Sequence, residues 1–305
     1  AYMNINNINK TGRRNALWLG SIVGDAFVLG GHWIYDVEKL KSSFPGYNKP
    51  QNPLPGTYHK NKKLGDQTHY GDQARHLWQF LSENNGIYDP DRYREAWLRF
   101  MNRYDGYMDG ASRETISALQ SDLLFGSGSD ELGGTARIAA IYYWLEDAQQ
   151  AIISAIDQSR MTHDSRQATA ITVLIASALQ TILDKPENES QLSVFETLNM
   201  ARIQMVSDDE YDMNLINEAF DTANSLQDFT AETIAKNLGQ SCHAKHALPV
   251  MLAVLKHTEN YQEAMKLNVM IGGDSATRAM IIGALLGAKL GTEAIPQDWI
   301  DIMRD

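Results

Sequence analysis

The stretch Gly272–Gly291, GGDSATRAMIIGALLGAKLG, places two glycines, an aspartate, a serine and a threonine directly before an apolar run built from small residues. Two glycines let the chain turn sharply, and Asp or Ser is a favoured N-cap, so Asp274 or Ser275 is expected to open a helix reaching about Leu290. That helix is apolar or small all round, as a helix at the centre of a large helical domain must be. Gly283, Gly287 and Gly291 fall four apart on one face. A glycine inside a helix costs about 1 kcal/mol against alanine, so the spacing predicts a close approach of two backbones. Gly20 and Gly24 repeat the device near the N-terminus.

Outward from this stretch, apolar residues recur at helical spacing in ALWLGSIVGDAFVLGG, QARHLWQFLSEN, YREAWLRFMNRY, ARIAAIYYWLED, QATAITVLIASALQTIL and HALPVMLAVLKHT,. Alternating β-branched runs bounded by turn dipeptides are nearly absent. The expected fold is all-α, one large orthogonal helical bundle. No Pro/Gly/Ser linker divides the 305 residues, which gives a single domain over 16–305 behind a poorly ordered N-terminal segment, 1–15. The segment DKPENESQ, Asp184 to Gln191, reads as a connection between helices.

A formal charge of −11 and a pI near 5.2 argue against nucleic acid and anionic membranes as partners, since both demand a positive field,. Cys242 is the only cysteine. It reads as a small buried hydrophobe, and the absence of any internal disulfide fits a reducing, cytoplasmic setting. The N-terminal AYMNINNINKTGRR has no apolar signal core,. From Phe44 to Asp66 runs an aperiodic loop with four prolines and with Lys49, Lys60, Lys62 and Lys63. A loop of this length inside a compact domain is a candidate lid, and its lysines are candidate phosphate contacts.

Four polar turns feed apolar helices. Besides GGDSAT, they are THYGDQARHL, where a helix beginning near Asp72 would project Asp72, Gln73 and His76 with His69 just before it; GDAFVLGGHWIYD, with Asp25 inside the helical pattern and His32 after it; and DELGGTARIAAI, with Asp130, Glu131 and Arg137 around a glycine pair. Gathered at one end of a bundle, such turns make a polar pocket. The amides near Gly133, Gly134 and Gly273, at helix starts, are candidate phosphate cradles, with Ser275 beside them.

The order and content of GDAFVLGGHWIYD, THYGDQARHL, DGASRETI, DELGGTARIAAI, SRMTHDSRQA and IGGDSATRAMIIGALLGAKLG resemble the ADP-ribosylglycohydrolase family, and within it the branch that includes the J1 crystallins. The resemblance runs from about Ala16 to Gly291. It implies an all-α bundle with the ligand cleft at one end. For active members it also implies two magnesium ions and hydrolysis of the bond joining ADP-ribose to an acceptor. One ligand set in those members is a hydroxyl residue followed by two aspartates; the other is Gly-Gly-Asp-x-Asp-Thr, and an acid after the Gly-Asp-Ala turn often completes the site.

This chain departs from that pattern. The first set matches at Asp72 alone, with Tyr70 and Gly71 at the other two positions; the second keeps Asp274 and Thr277 but has Ala276; His32 stands near the place of the early acid. Two magnesium ions need several carboxylates around them, so one ion on Asp72, Asp274 and Thr277 is the expectation rather than two. Zinc on a set that adds His32, His69 and His76, or no metal at all, are the alternatives. The functional expectation is hydrolysis of an ADP-ribosyl or related nucleotide-ribosyl bond, with Asp72 and Asp274 as catalytic carboxylates. Asp25, His32, His69, Gln73, Gly133, Gly134, Arg137, Gly273 and Ser275 are expected to line the ligand. A binding protein without turnover, or a structural crystallin-like role, are the readings of other classes.

Overall fold

The computed structural model describes residues 12–186, 189–190, 192–205 and 211–303, and among them the backbone is helical with no strand. The helices are α1 Arg13–Val28, α2 Val37–Ser43, α3 His69–Glu83, α4 Pro90–Asn102, α5 Gly110–Gln120, α6 Gly133–Ala136, α7 Ile138–Trp144, α8 Ala148–Thr162, α9 Arg166–Asp184, α10 Val194–Gln204, α11 Met213–Ser225, α12 Ala231–Leu238, α13 Ala244–His257, α14 Tyr261–Ile271, α15 Ser275–Leu290 and α16 Gln297–Ile302. The all-α expectation holds. Helix α1 opens at Arg13, so residues 13–15 are helical, whereas 1–11 lie outside the described residues. The 184–191 connection is described only in part, without 187, 188 and 191.

The axis of the molecule is the pair α1 and α15, each buried along almost its full length. A Cβ on Gly20 would stand 2.2 Å from the Gly283 carbonyl oxygen, and one on Gly287 would stand 2.2 Å from that of Ala16. The two backbones therefore touch, and no other residue fits at these positions. Gly24 joins the same contact through Ala279, but Gly291 does not: it caps the C-terminus of α15 with φ +85°, where glycine is needed for the left-handed turn,. Tyr261 of α14 locks the pair by donating its hydroxyl to the Gly20 carbonyl.

Around this axis one apolar core collects side chains from nearly every helix, including Trp18, Trp97 and Trp299. Helix α9 is long and apolar enough to cross a membrane by length and composition, yet most of it is buried inside the protein, as a core helix requires.

Candidate functional site

Three helix starts and the turn after α1 meet at one end of the axis. Helix α15 is opened by Asp274, whose carboxylate accepts the Thr277 amide at 3.4 Å. The preceding turn is bonded backbone to backbone with the segment after α1: Trp33 N–H donates to Gly273 C=O and Gly273 N–H to Ile34 C=O, both at 2.8 Å. The Gly273 amide is thus committed to protein and is not a phosphate cradle, and its φ of +72° with Gln240 pressed against it explains the glycine. Behind the turn, Arg278 donates to the Asn268 side chain and to the carbonyls of Asn268 and Gly272.

Helix α3 starts at His69, capped by Thr68, three residues earlier than the sequence suggests. The cap explains the shift. Thr68 is held by Asp25, which accepts its amide at 2.7 Å and its hydroxyl at 2.6 Å. Asp25 is a buried strut between α1 and α3, and burial pushes its carboxyl up to about 7. With the helix starting at His69, Gln73 faces inward to Trp97, Ser112 and Arg137. His76 stacks on Phe100 at 4.4 Å, away from the pocket. The zinc set containing His32, His69 and His76 is therefore not assembled.

Asp274 and Asp72 have different partners. Asp274 Oδ1 accepts from His32 Nε2 at 3.0 Å and its Oδ2 from the Tyr70 hydroxyl at 3.3 Å. Burial by itself would raise the Asp274 carboxyl, but the His32 hydrogen bond and then the Arg278 charge hold it below the ordinary carboxylate range. It is the ionised partner, and buried His32 is the neutral donor. His32 Nδ1 lies 3.0 Å from His59 Nε2 on the long loop, extending the chain to Asp274–His32–His59. Burial pulls His59 down to about 2, so it too is neutral. Asp72 instead pairs with Lys62 Nζ of that loop and accepts from the Tyr104 hydroxyl at 2.6 Å.

Magnesium does not fit this donor set. Tyr70 fills the space beside Asp274: its hydroxyl is on the carboxylate and its ring reaches Gly133. An ammonium and a phenol take the Asp72 carboxylate. An aspartate at position 71 would collide with Asp25 and Gln67, since a Cβ there would stand 2.2 Å from Asp25 Oδ2. Thr277 Oγ1, of the expected metal set, and Ser275 Oγ, expected to line the ligand, are buried without partners, and Ala276 offers no second carboxylate beside them.

Four more residues complete the site: Glu131 and Cys242, which the sequence analysis names, and Asp109 and His163, which lie in segments that carry the resemblance. Asp109 caps α5 and accepts the Ser112 amide at 3.2 Å. Glu131 precedes α6 and accepts from Cys242 Sγ at 3.0 Å. Cys242 is therefore a half-buried polar contact rather than a core hydrophobe. His163 ends α8 with its Nδ1 2.7 Å from Thr162 Oγ1. The ligand atoms of Asp109, Glu131 and His163 all lie within 4.8 Å of one another, and those of Glu131, Cys242 and His243 form a second such group. Side chains with metal-ligand chemistry are thus present, at a different place from the expected one. The charges of Asp274, Asp109 and Glu131 all reach Tyr70, and those of Asp274 and Asp109 hold Glu131 above the ordinary range, after burial.

Gly133 and Gly134 belong to a single helical turn, and their missing side chains make room for His163 and Ser159. Arg137 is buried behind the pocket, donating to Gln158, Thr162 and Gln73. It orients the Thr162–His163 corner. Beside His32, His59 and His69, Trp33, Tyr58 and Tyr107 pack edge to face with centroids 4.8–5.2 Å apart. Trp33 holds φ +65°, an uncommon conformation for a side chain of this size,.

Comparison with known proteins gives the same reading of the whole chain. It is 26% identical over 302 residues to an uncharacterised protein of Archaeoglobus fulgidus, covering 96% of this chain and 91% of that one. It is 23% identical to crystallin J1A of Tripedalia cystophora, covering 94% and 91%. A solved structure described as an ADP-ribosylglycohydrolase-related protein complex superposes with a TM-score of 0.73 at 21% identity, over 96% of this chain and 92% of the other, which is a likeness of fold. The family model described as ADP-ribosylglycohydrolase matches residues 8–305, and the chain belongs to that family.

Proposed function

We propose that this protein hydrolyses the glycosidic bond of an ADP-ribosyl or related nucleotide-ribosyl conjugate without a magnesium pair. The observation that carries the reading is the buried Asp274 carboxylate, held on one oxygen by His32 and on the other by Tyr70, with Asp109 and Glu131 from two other elements within 4.8 Å of one another and their charges also acting on Tyr70. Positive charge develops at the ribose C1 as a glycosidic bond breaks, and a preorganised negative field in a poorly hydrated pocket favours that charge over the ground state. Asp274 is the proposed catalytic carboxylate. His32 and Tyr70 hold it ionised and oriented, a task that a metal performs in a more acidic site. Asp72 acts at one remove, by holding Lys62 and with it the loop that carries His59.

The test is incubation with ADP-ribosyl-arginine and an ADP-ribosyl-serine peptide, after chelation and again with added magnesium or zinc, reading free ADP-ribose by chromatography. Release is expected from at least one conjugate in the absence of magnesium. Asp274→Asn is expected to lower the rate by about 100-fold or more, the usual scale for an electrostatic group at a reacting centre. Release that appears only with magnesium would overturn the reading.

A second reading is favoured by one observation: both expected metal carboxylates already have protein partners, Asp274 with His32 and Tyr70, Asp72 with Lys62 and Tyr104. A pocket satisfied in this way suits a binding protein without turnover. Calorimetry with ADP-ribose then gives binding, and no conjugate yields product.

A further inference from the structure

Tyr70 stands between two groups of polar side chains, with its hydroxyl on Asp274 and its ring facing Gly133 beside His163. In the first group Asp274 is saturated by His32, Tyr70 and the Thr277 amide. The second group is not saturated. Asp109 accepts the Ser112 amide at Oδ1 and also interacts with the Ser112 hydroxyl, and Glu131 accepts Cys242 Sγ at Oε1. No lysine or arginine forms an ion pair with either among the described residues. His163 is 3% exposed and its Nε2 has no partner, while its Nδ1 is turned to the Thr162 hydroxyl.

An independent side chain points the same way. His69 is 1% exposed, and neither of its ring nitrogens has a hydrogen-bond partner. The largest charge interaction it makes is with Asp109. A buried imidazole with both nitrogens unmet is costly, because each unpaired polar group forfeits its hydration. The cost disappears if a polar occupant stands between it and Asp109.

We propose that Asp109, Glu131 and His163 bind one transition-metal dication of the zinc class, with a metal-held water in the fourth position facing His69. Two carboxylates and one imidazole suit zinc, and three protein ligands plus water is its usual open arrangement. Donors each about 2.1 Å from a tetrahedral ion stand roughly 3.4 Å apart, so a set already within 4.8 Å needs only small side-chain adjustment,. The Thr162 hydroxyl, itself held by Arg137, is the outer partner that keeps Nδ1 protonated and Nε2 free for the metal,. The outer group of Glu131, Cys242 and His243 is a weaker candidate. Its members already bond to one another or to Asp130, and His243 is exposed. The site is distinct from one on Asp72 and Asp274 but shares Asp109 and Glu131 with the proposed hydrolysis, which is expected of the zinc-free chain; metal binding is read with no substrate present, so the two readings fail separately.

The metal-stripped full chain is titrated with zinc chloride, and separately with magnesium chloride, by calorimetry. One zinc per chain is expected, at least 100-fold tighter than magnesium. Glu131→Gln and His163→Ala are each expected to weaken zinc by 10-fold or more, and Asp72→Asn to leave it within 2-fold. Glu131 is half-buried, so its variant keeps the test alive if His163→Ala does not fold. Cobalt substituted for zinc is expected to show a four-coordinate visible spectrum with no thiolate charge-transfer band. No zinc binding, binding that survives Glu131→Gln, loss of binding in Asp72→Asn, or a thiolate band assigning the ion to Cys242 would each overturn the proposal.

Discussion

The α1–α15 seam and the site at its end are built by opposite means, the seam by two helices alone and the site by the ends of several. Along the seam the deciding feature is what is missing: glycines let carbonyl oxygens of one helix sit where side chains of the other would be. In the pocket the deciding feature is a competition among side chains for partners, in which Tyr70, His32 and Lys62 take the carboxylates that a metal would otherwise claim. The seam tolerates no change of shape. The pocket has changed its occupants within an unchanged frame.

The contrast is sharpest if the seam is broken. Gly20→Val puts a branched side chain into the Gly283 carbonyl, and we expect it to cost about 3 kcal/mol or more, the upper range for overpacking, read by urea unfolding,. A loss below about 1 kcal/mol would mean that the seam yields. Next in size is the attempt to restore the family's ligands. Gly71→Asp with Ala276→Asp is expected to destabilise by about 2 kcal/mol and to gain no magnesium affinity, because the new side chain at 71 meets Asp25 and Gln67,. Tight magnesium binding by this variant would show a pocket still shaped for the ion.

The Asp25 strut gives a smaller effect with a definite sign. Its carboxyl titrates near 7 when folded and near 3.8 when not. The folded state therefore holds a proton that the unfolded state has lost, and this group's contribution to stability declines as pH rises from about 4 to about 7. In Asp25→Asn that component vanishes from the pH profile, while the misfit with the Thr68 donors costs about 1–2 kcal/mol,. The smallest change is expected from Lys62→Met. The pair with Asp72 is partly exposed and Tyr104 still donates, so stability should move by less than about 1 kcal/mol in urea melts,.

What could be read in advance divides along the same line. Helical periodicity, the glycine spacing and the Asp274 cap are properties of the local backbone, and the structure agrees with them at all but Gly291. The start of α3 was legible only with Asp25 in view, because a residue 43 positions away holds the cap. His59 carried no local signal, and Asp109 and His163 carried one only as members of DGASRETI and SRMTHDSRQA, segments that resemble the family without telling what either side chain meets. A histidine in a proline-rich loop, an N-cap aspartate and a residue at a helix end look the same whether they reach a pocket or not. Their roles come from convergence between elements far apart in the chain. Arg137 and Gln73 show the reverse: polar residues near a glycine turn that tertiary packing turned inward, where they support the corner behind His163.

The reciprocal bonding of Trp33, Ile34 and Gly273 has a mechanical corollary. It rivets the segment after α1 to the start of α15, so Asp274 is backed by the two packed helices. Any accommodation falls to the opposite wall, the proline-rich strap bearing Tyr58, His59 and Lys62. That strap is held to the helices by the Lys62–Asp72 pair and the His59–His32 contact, so those two contacts fix where that wall stands.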